Sequence, residues 1–326
     1  MPPHRIASEP QSYGPASRPG DSFEARAEAR QRSYRADILG VGYTEYGHWL
    51  DGVAAKRGAN FVVDECTAAA VARRSAGKGV ADRTFINMLA SQAMAFNVFG
   101  PLIADPELAC RVLAPLVPKL RSVQRIIPEY TPPHDVFRDQ SGTVGVDCDL
   151  LIEATLDDGP LVITVETKFV ETKFSNCGHR TSKKRKAGRA CPEGVQVASA
   201  RSSCAYQALN RFAYWERTDE YRTLLPLSAT GCPFGGPLWQ LWVNHTLAHV
   251  EAARRGSGHA RFLVCAPAGN DPLLRGGRVL SSFRALLAKP ETFGFLPLDN
   301  VIARIAQIGG GPAGWVEGIT ARYAGI

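Results

Sequence analysis

Apolar residues recur at helical spacing through residues 64–74 (DECTAAAVARR) and 83–99 (RTFINMLASQAMAFNVF), and Pro101 follows the second run as a natural stop. Residues 106–120 open with Pro-Glu and repeat the pattern, so the stretch 22–120 reads as a largely helical N-terminal part. Residues 1–21 are rich in Pro, Ser and Gly without periodicity and read as a disordered arm. After Pro118 the period shortens. SVQRIIPEY, VDCDLLIEATL and LVITVETKFV are strand-like, with Asp157-Asp158-Gly159-Pro160 joining the last two as a hairpin. Residues 175–203 lack strong periodicity and read as a long basic, Cys-containing insertion. Beyond it, 237–255 is helical, 260–268 a buried strand, 281–288 helical, and FGFLPL a short final strand. The expected architecture is α/β: a mixed sheet flanked by helices, its core spanning 121–326.

With 45% hydrophobic residues the chain can bury one large core, so a single elaborated domain is expected. A net charge of +7 favours a polyanionic partner. Neither a signal-like apolar run at the start nor any stretch of ~18 consecutive apolar residues occurs, which argues against secretion and membrane spanning and for the cytoplasm. The eight cysteines are irregularly spaced and form no CxxC pair, as reduced thiols would be.

The hairpin carries the chemistry. Side chains two apart share a strand face, so Glu166 and Lys168 project together, and Asp147, Asp149 and Leu151 share a face of the preceding strand. A turn centred between Asp158 and Gly159 pairs Asp149 with Lys168 and Leu151 with Glu166, leaving Asp149 and Glu166 as diagonal neighbours roughly 7–8 Å apart. Two carboxylates at that separation can meet on one hard cation, Mg²⁺ or Mn²⁺, and Lys168 can orient a water or offset charge on a phosphorane. An isolated ExK triplet is usually only a charged strand face. Here the flanking runs Leu150-Leu151-Ile152 and Leu161-Val162-Ile163 are apolar on both faces, where unpaired charge is expensive. Asp147 lies further along the strand as an alternative ligand.

The arrangement D149-LLIEATLDDGPLVITV-E166-T-K168 resembles the D-(x)n-(D/E)-x-K core of the PD-(D/E)XK nuclease superfamily, without the proline of its name. SQAMAFNVFGPL at 91–102 and WQLWVNHTLAH at 239–249 resemble one branch of it, a family of bacterial restriction-endonuclease-like proteins. The resemblance implies a metal-dependent nuclease with Asp149, Glu166 and Lys168 as catalytic set and Gln240 as support. Trp239 and Trp242 depart from it, standing where smaller or cationic residues are expected. The expected reaction is Mg²⁺-assisted endonucleolytic hydrolysis of DNA, with a homodimer suited to double-strand cleavage. The rivals are a nuclease acting on DNA ends or RNA, and a catalytically silent nucleic-acid-binding module of the same fold.

Other constellations carry less. Gln240 and Asn244, four apart on a helix, either aim amides at the site or line a packing face. Lys183, Lys184, Arg185 and Lys186, with Arg180 and Arg189 around them, suit phosphate contact. Cys177, Cys191, Cys204 and Cys232 match no usual ligand spacing and read as scattered thiols rather than a zinc or iron–sulfur site. His245 and His249 share a helix face, but without the glutamate of a hydrolytic zinc motif they read as polar helix positions. Glu65 is a first-turn helix charge that could also be a third acid. Ser91, Gln92 and Asn97 are expected to be buried hydrogen-bonding residues.

Overall fold

The computed structural model describes residues 11–18, 20, 22–77, 79–139, 146–181, 191, 195–227 and 231–326. Residues 1–10 and the run Lys183, Lys184, Arg185, Lys186 lie outside the described residues, as does Arg189. The first long helix, α1 (Phe23–Ser33), starts where Ser22 Oγ accepts the Ala25 amide. Helix α2 (Asp64–Ser75) has Asp64 and Glu65 in its first turn and Arg73 and Arg74 in its last, matching the helix dipole at both ends.

The single helix expected over 83–99 is divided. A turn at Arg83–Ile86 ends because Asn87 becomes extended and its Oδ1 takes the Leu89 amide. Helix α3 (Ser91–Ala104) begins afterwards, and Pro101 sits inside it instead of stopping it. A proline leaves the carbonyl four residues back without its helical donor. The Asn97 carbonyl receives the Trp315 indole N–H instead, at 2.8 Å, so the helix continues. Helix α4 (Pro106–Leu113), capped by Asp105 and opened by Pro106, is shorter than expected because the chain turns at Lys119 (φ 65) into the first strand.

Strands β1 (Leu120–Tyr130), β2 (Cys148–Leu156) and β3 (Gly159–Thr167) form an antiparallel meander. Helix α5 (Leu238–Arg254) crosses from β3 to β4 (His259–Ala266), which runs parallel to β3, and β5 (Phe293–Pro297) runs parallel to β4. The result is one mixed sheet in the order β1-β2-β3-β4-β5, flanked by helices in a restriction-endonuclease-like fold. Helices α6 (Leu298–Ile308) and α7 (Trp315–Tyr323) complete the chain.

The hairpin register corrects the expected one. Leu156 pairs with Gly159, so Asp157 and Asp158 alone make the turn, and every pair slips by two residues. An even slip keeps each side chain on its face. Leu150, Ile152, Ile163 and Val165 pack with Phe96, Phe99, Leu108, Ile302 and Trp315 from the helices of one layer. Leu151, Val162, Phe262 and Val264 face the other layer, beneath α5. Each such fully buried apolar side chain contributes about 1.5–3 kcal/mol relative to exposure, which makes these two faces the main source of stability.

The tryptophans that depart from the family resemblance belong to this second layer. Trp242 stacks on Phe234 with ring centroids 4.3 Å apart and lies 4.5 Å from Trp215, while Trp239 lies 6.2 Å from Tyr206. Their bulk holds the segment between β3 and α5 against the helix. Among the described residues no helix is long and apolar enough to cross a membrane.

Candidate active site

Leu150 pairs with Val165, and carrying that register one residue on sets Asp149 opposite Glu166 and, two further, Asp147 opposite Lys168. The slip therefore turns the expected diagonal pair into a direct one. On the far side of β2, Pro128 pairs with Leu150 and Tyr130 with Cys148, which brackets Glu129 opposite Asp149. Glu129, Asp149 and Glu166 thus occupy one row across three adjacent strands.

Each acid is held by identifiable donors. Asp149 Oδ2 accepts the Thr167 amide at 2.5 Å and its hydroxyl at 2.7 Å. Glu166 is buried, with Oε1 accepting from Lys168 Nζ (2.6 Å) and Gln240 Nε2 (2.7 Å), and Oε2 from Asn244 Nδ2 (2.6 Å). Gln240 and Asn244 lie one turn apart on α5 and reach the same carboxylate, as residues four apart on a helix can. The Asn244 carbonyl accepts Thr164 Oγ1 at 3.0 Å, which fixes the helix over β3. Gln240 Oε1 accepts the Ser175 amide, tying the next segment to the site. Lys168 is positioned by its own amide, which donates to the Cys265 carbonyl of β4.

Crowding perturbs every charge here. Burial raises Glu166 to about 8, and Asp149 and Asp147 add repulsion against the pull of Lys168. Burial also raises Asp149, opposed by Lys168 and the Thr167 hydrogen bonds. Asp147 presents its side chain to solvent, yet the protein around it and then Asp149 raise its carboxyl too. For Lys168 burial opposes the ammonium, but Glu166, Glu171 and Asp149 outweigh it and hold the proton more firmly than usual.

Glu129 is the acid that sequence reasoning missed. It is 6% exposed, sits at φ 48 in an otherwise extended strand, and is raised to about 9 by burial, then by Asp149, Asp147 and Glu166. Its Oε1 has no hydrogen-bond partner among the described residues. The signal was a lone acid in the run IIPEY, where apolar neighbours make a buried charge expensive. Glu65, the third acid suggested by sequence, is exposed in the first turn of α2, and Glu129 takes that place in the row.

Among the described residues no three His, Cys, Asp or Glu side chains stand gathered as a finished metal cage. The donor set nevertheless fits a hard divalent cation. Mg²⁺ takes one or two carboxylates and retains water, and the orphaned Glu129 oxygen and the mutually repelling acids are what such a charge would relieve. Beside the site, where the chain leaves β3, a cleft of about 500 Å³ is lined by Lys173, Arg18, Arg83, Tyr46 and Trp49 among others.

The remaining sequence candidates lie elsewhere. His245 Nε2 meets Thr292 Oγ1 at 2.8 Å, and its ring lies 4.8 Å from that of His249, away from the acid row. Asn97 is fully buried, accepting from the Val62 amide and donating to the Asn60 carbonyl and the Tyr323 hydroxyl. Gln92 and Ser91 are half-buried; Gln92 ties the Gly79–Ala81 turn to α3. The four cysteines read as scattered line one cavity instead.

The family profile described as the PD-(D/E)XK nuclease superfamily matches residues 19–212 and 229–325. No curated protein and no solved structure matches the chain. With the hairpin, the crossover helix and both flanking layers all inside the matched residues, the chain belongs to the PD-(D/E)XK nuclease superfamily.

Proposed function

We propose that this nuclease cleaves DNA internally, hydrolysing phosphodiester bonds with Mg²⁺ or Mn²⁺ held by Asp149 and Glu166. The observation that carries the reading is the row of carboxylates with Lys168 hydrogen-bonded at its end. A bound divalent ion supplies an acidified water and offsets the charge of the pentacoordinate phosphorane. Thr167 holds Asp149 in one orientation, and Gln240 and Asn244 do the same for Glu166, so neither carboxylate has to be ordered when substrate arrives. The proton held firmly on Lys168 lets it stay cationic at neutral pH, able to orient the attacking water or face the phosphoryl oxygens. Asp147 and Glu129 are near enough to alter the charge of the ligand pair electrostatically.

The cleft holds Arg83, Lys173 and aromatic rings beside Glu171 and the Arg18–Glu24 ion pair, and its cations and rings suit a nucleic-acid strand, meeting phosphates and bases respectively. The basic run from Lys183 to Lys186 would add phosphate contacts, and cleavage of both strands would call for two copies of the chain. Incubation with supercoiled plasmid and Mg²⁺ or Mn²⁺, beside EDTA and Glu166→Ala controls, tests the reading. Nicking or linearisation lost in both controls is expected. Metal-dependent cleavage that persists in Glu166→Ala refutes the site, and failure to cut plasmid while RNA or DNA ends are degraded refutes the substrate.

A further inference from the structure

Cys177, Cys191, Cys204 and Cys232 are separated by 13, 12 and 27 intervening residues, a spacing that suggests nothing. Yet all four line one cavity between the segment that follows β3 and the start of α5. None of the four is in a disulfide. Cys177 and Cys204 are buried and Cys191 and Cys232 half-buried, so the thiols point inward from four separate stretches of chain.

We propose that these four cysteines bind a structural zinc ion as a tetrathiolate centre. Four sulfur donors with no water position are what Zn²⁺ takes in closed structural sites. Beside the four thiols the cavity is lined by His179 and otherwise mainly by apolar and aromatic side chains, so sulfur is the donor it offers in number. Among the described residues the four do not stand as a finished ligand set, and binding would have to bring each sulfur to about 2.3 Å from the ion. Four thiols each give a proton to solvent as four Zn–S bonds form, leaving the centre with two net negative charges. The sequence carries Arg180, Lys183, Lys184, Arg185, Lys186 and Arg189 between the first two ligands, a matching excess of positive charge.

The physical need is visible in the fold. From Ser175 to Pro237 the described chain forms short helices and no strand of the sheet, so it lacks the ladder hydrogen bonds that fix the core. Trp239, Tyr206 and Phe234 wall the cavity. An ion there would clamp four stretches of this segment to one another beside Trp239 and Trp242 of α5, and would tie together the two residues that flank the basic run. Regular spacing is the habit of zinc sites that must close their own loops; here the surrounding aromatic layer already brings distant cysteines together.

Metal analysis of the full chain, purified under reducing conditions and passed over EDTA resin, should give about one zinc per chain. The Glu166→Ala protein should keep it, which separates this centre from the nuclease site. The Cys204→Ser/Cys232→Ser protein should lose it. Should that variant fail to fold, Co²⁺ exchange into the wild-type protein gives an independent readout: the intense d–d and sulfur-to-metal bands of tetrahedral thiolate coordination. Absence of zinc together with absence of those bands overturns the proposal. Brown protein with several irons per chain overturns the choice of zinc, and loss of metal in His179→Ala overturns the all-thiolate ligand set.

Discussion

Glu129→Gln should make the metal-free protein more stable. Gln matches Glu in shape and carries the same backbone penalty at φ 48, so the change isolates charge. Burial, Asp149, Asp147 and Glu166 raise the Glu129 carboxyl from 4.5 to about 9 in the folded protein. A raised folded value means the stability is whole below the unfolded value and lost as pH climbs toward the folded one. At pH 7 the unfolded chain has ionised while the folded chain has not, a difference of about 2.5 pH units from the ordinary value, or ~3 kcal/mol. Local relaxation around the acid row reduces this, and ~1–3 kcal/mol is expected at pH 7, which for a chain of this length is a rise of roughly 2–5 °C in Tm. Urea melts at pH 5, 7 and 9 in EDTA would read it: the gap should be small at pH 5 and widen to pH 9. Added Mn²⁺ should narrow it, because a cation among the carboxylates relieves the same repulsion. A variant no more stable than wild type at pH 9 would refute the acid row as a strained cluster.

Three further outcomes are expected. Asn244→Ala removes a donor from ionised Glu166, which already sits at about 8; its carboxyl should rise further, and the cleavage profile should move to higher pH with binding unchanged, whereas an unmoved profile denies Asn244 that role. Neutralising Lys183, Lys184, Arg185 and Lys186 together should weaken DNA binding and reduce the slope of log K against log salt by up to ~4; an unchanged slope would show that the run meets no phosphates. Gly100→Ala places a methyl 2.8 Å from Cys66 Cα where α2 and α3 cross, so denaturation should show a loss of ~1–3 kcal/mol, and a neutral result would mean the helices are not in contact there.

Much of the site was legible because strands report faces with a period of two: Asp149, Glu166 and Lys168 converge whether or not the turn is placed correctly. The register itself was not legible, since Asp-Asp-Gly-Pro offers more than one centre and Gly159 looks like a turn residue while it closes the ladder. Pro101 misled for a tertiary reason, because the donor that satisfies the Asn97 carbonyl lies 218 residues away on Trp315. Glu129 was missed, and the four cysteines were read as scattered although they line one cavity. Their partners sit on other strands or distant loops, and spacing along a chain carries no information about that kind of proximity. Helix α6 was legible in principle, since LDNVIARIAQI has an amphipathic period, but it follows Pro297, the last residue of β5, directly and so lacks a loop to mark its start.

Helix α7 also bears on when the enzyme comes into being. Trp315 and Tyr323 are fully buried against α3, and Arg322, equally buried, donates to Gln31 and Asn60. The N-terminal helices therefore meet their final partners only after residues 315–323 have been synthesised. Until then Asn97 lacks its Tyr323 partner, and one face of the sheet lacks part of its cover. A growing chain on the ribosome is accordingly kept from completing the fold that holds the acid row until this last helix has emerged.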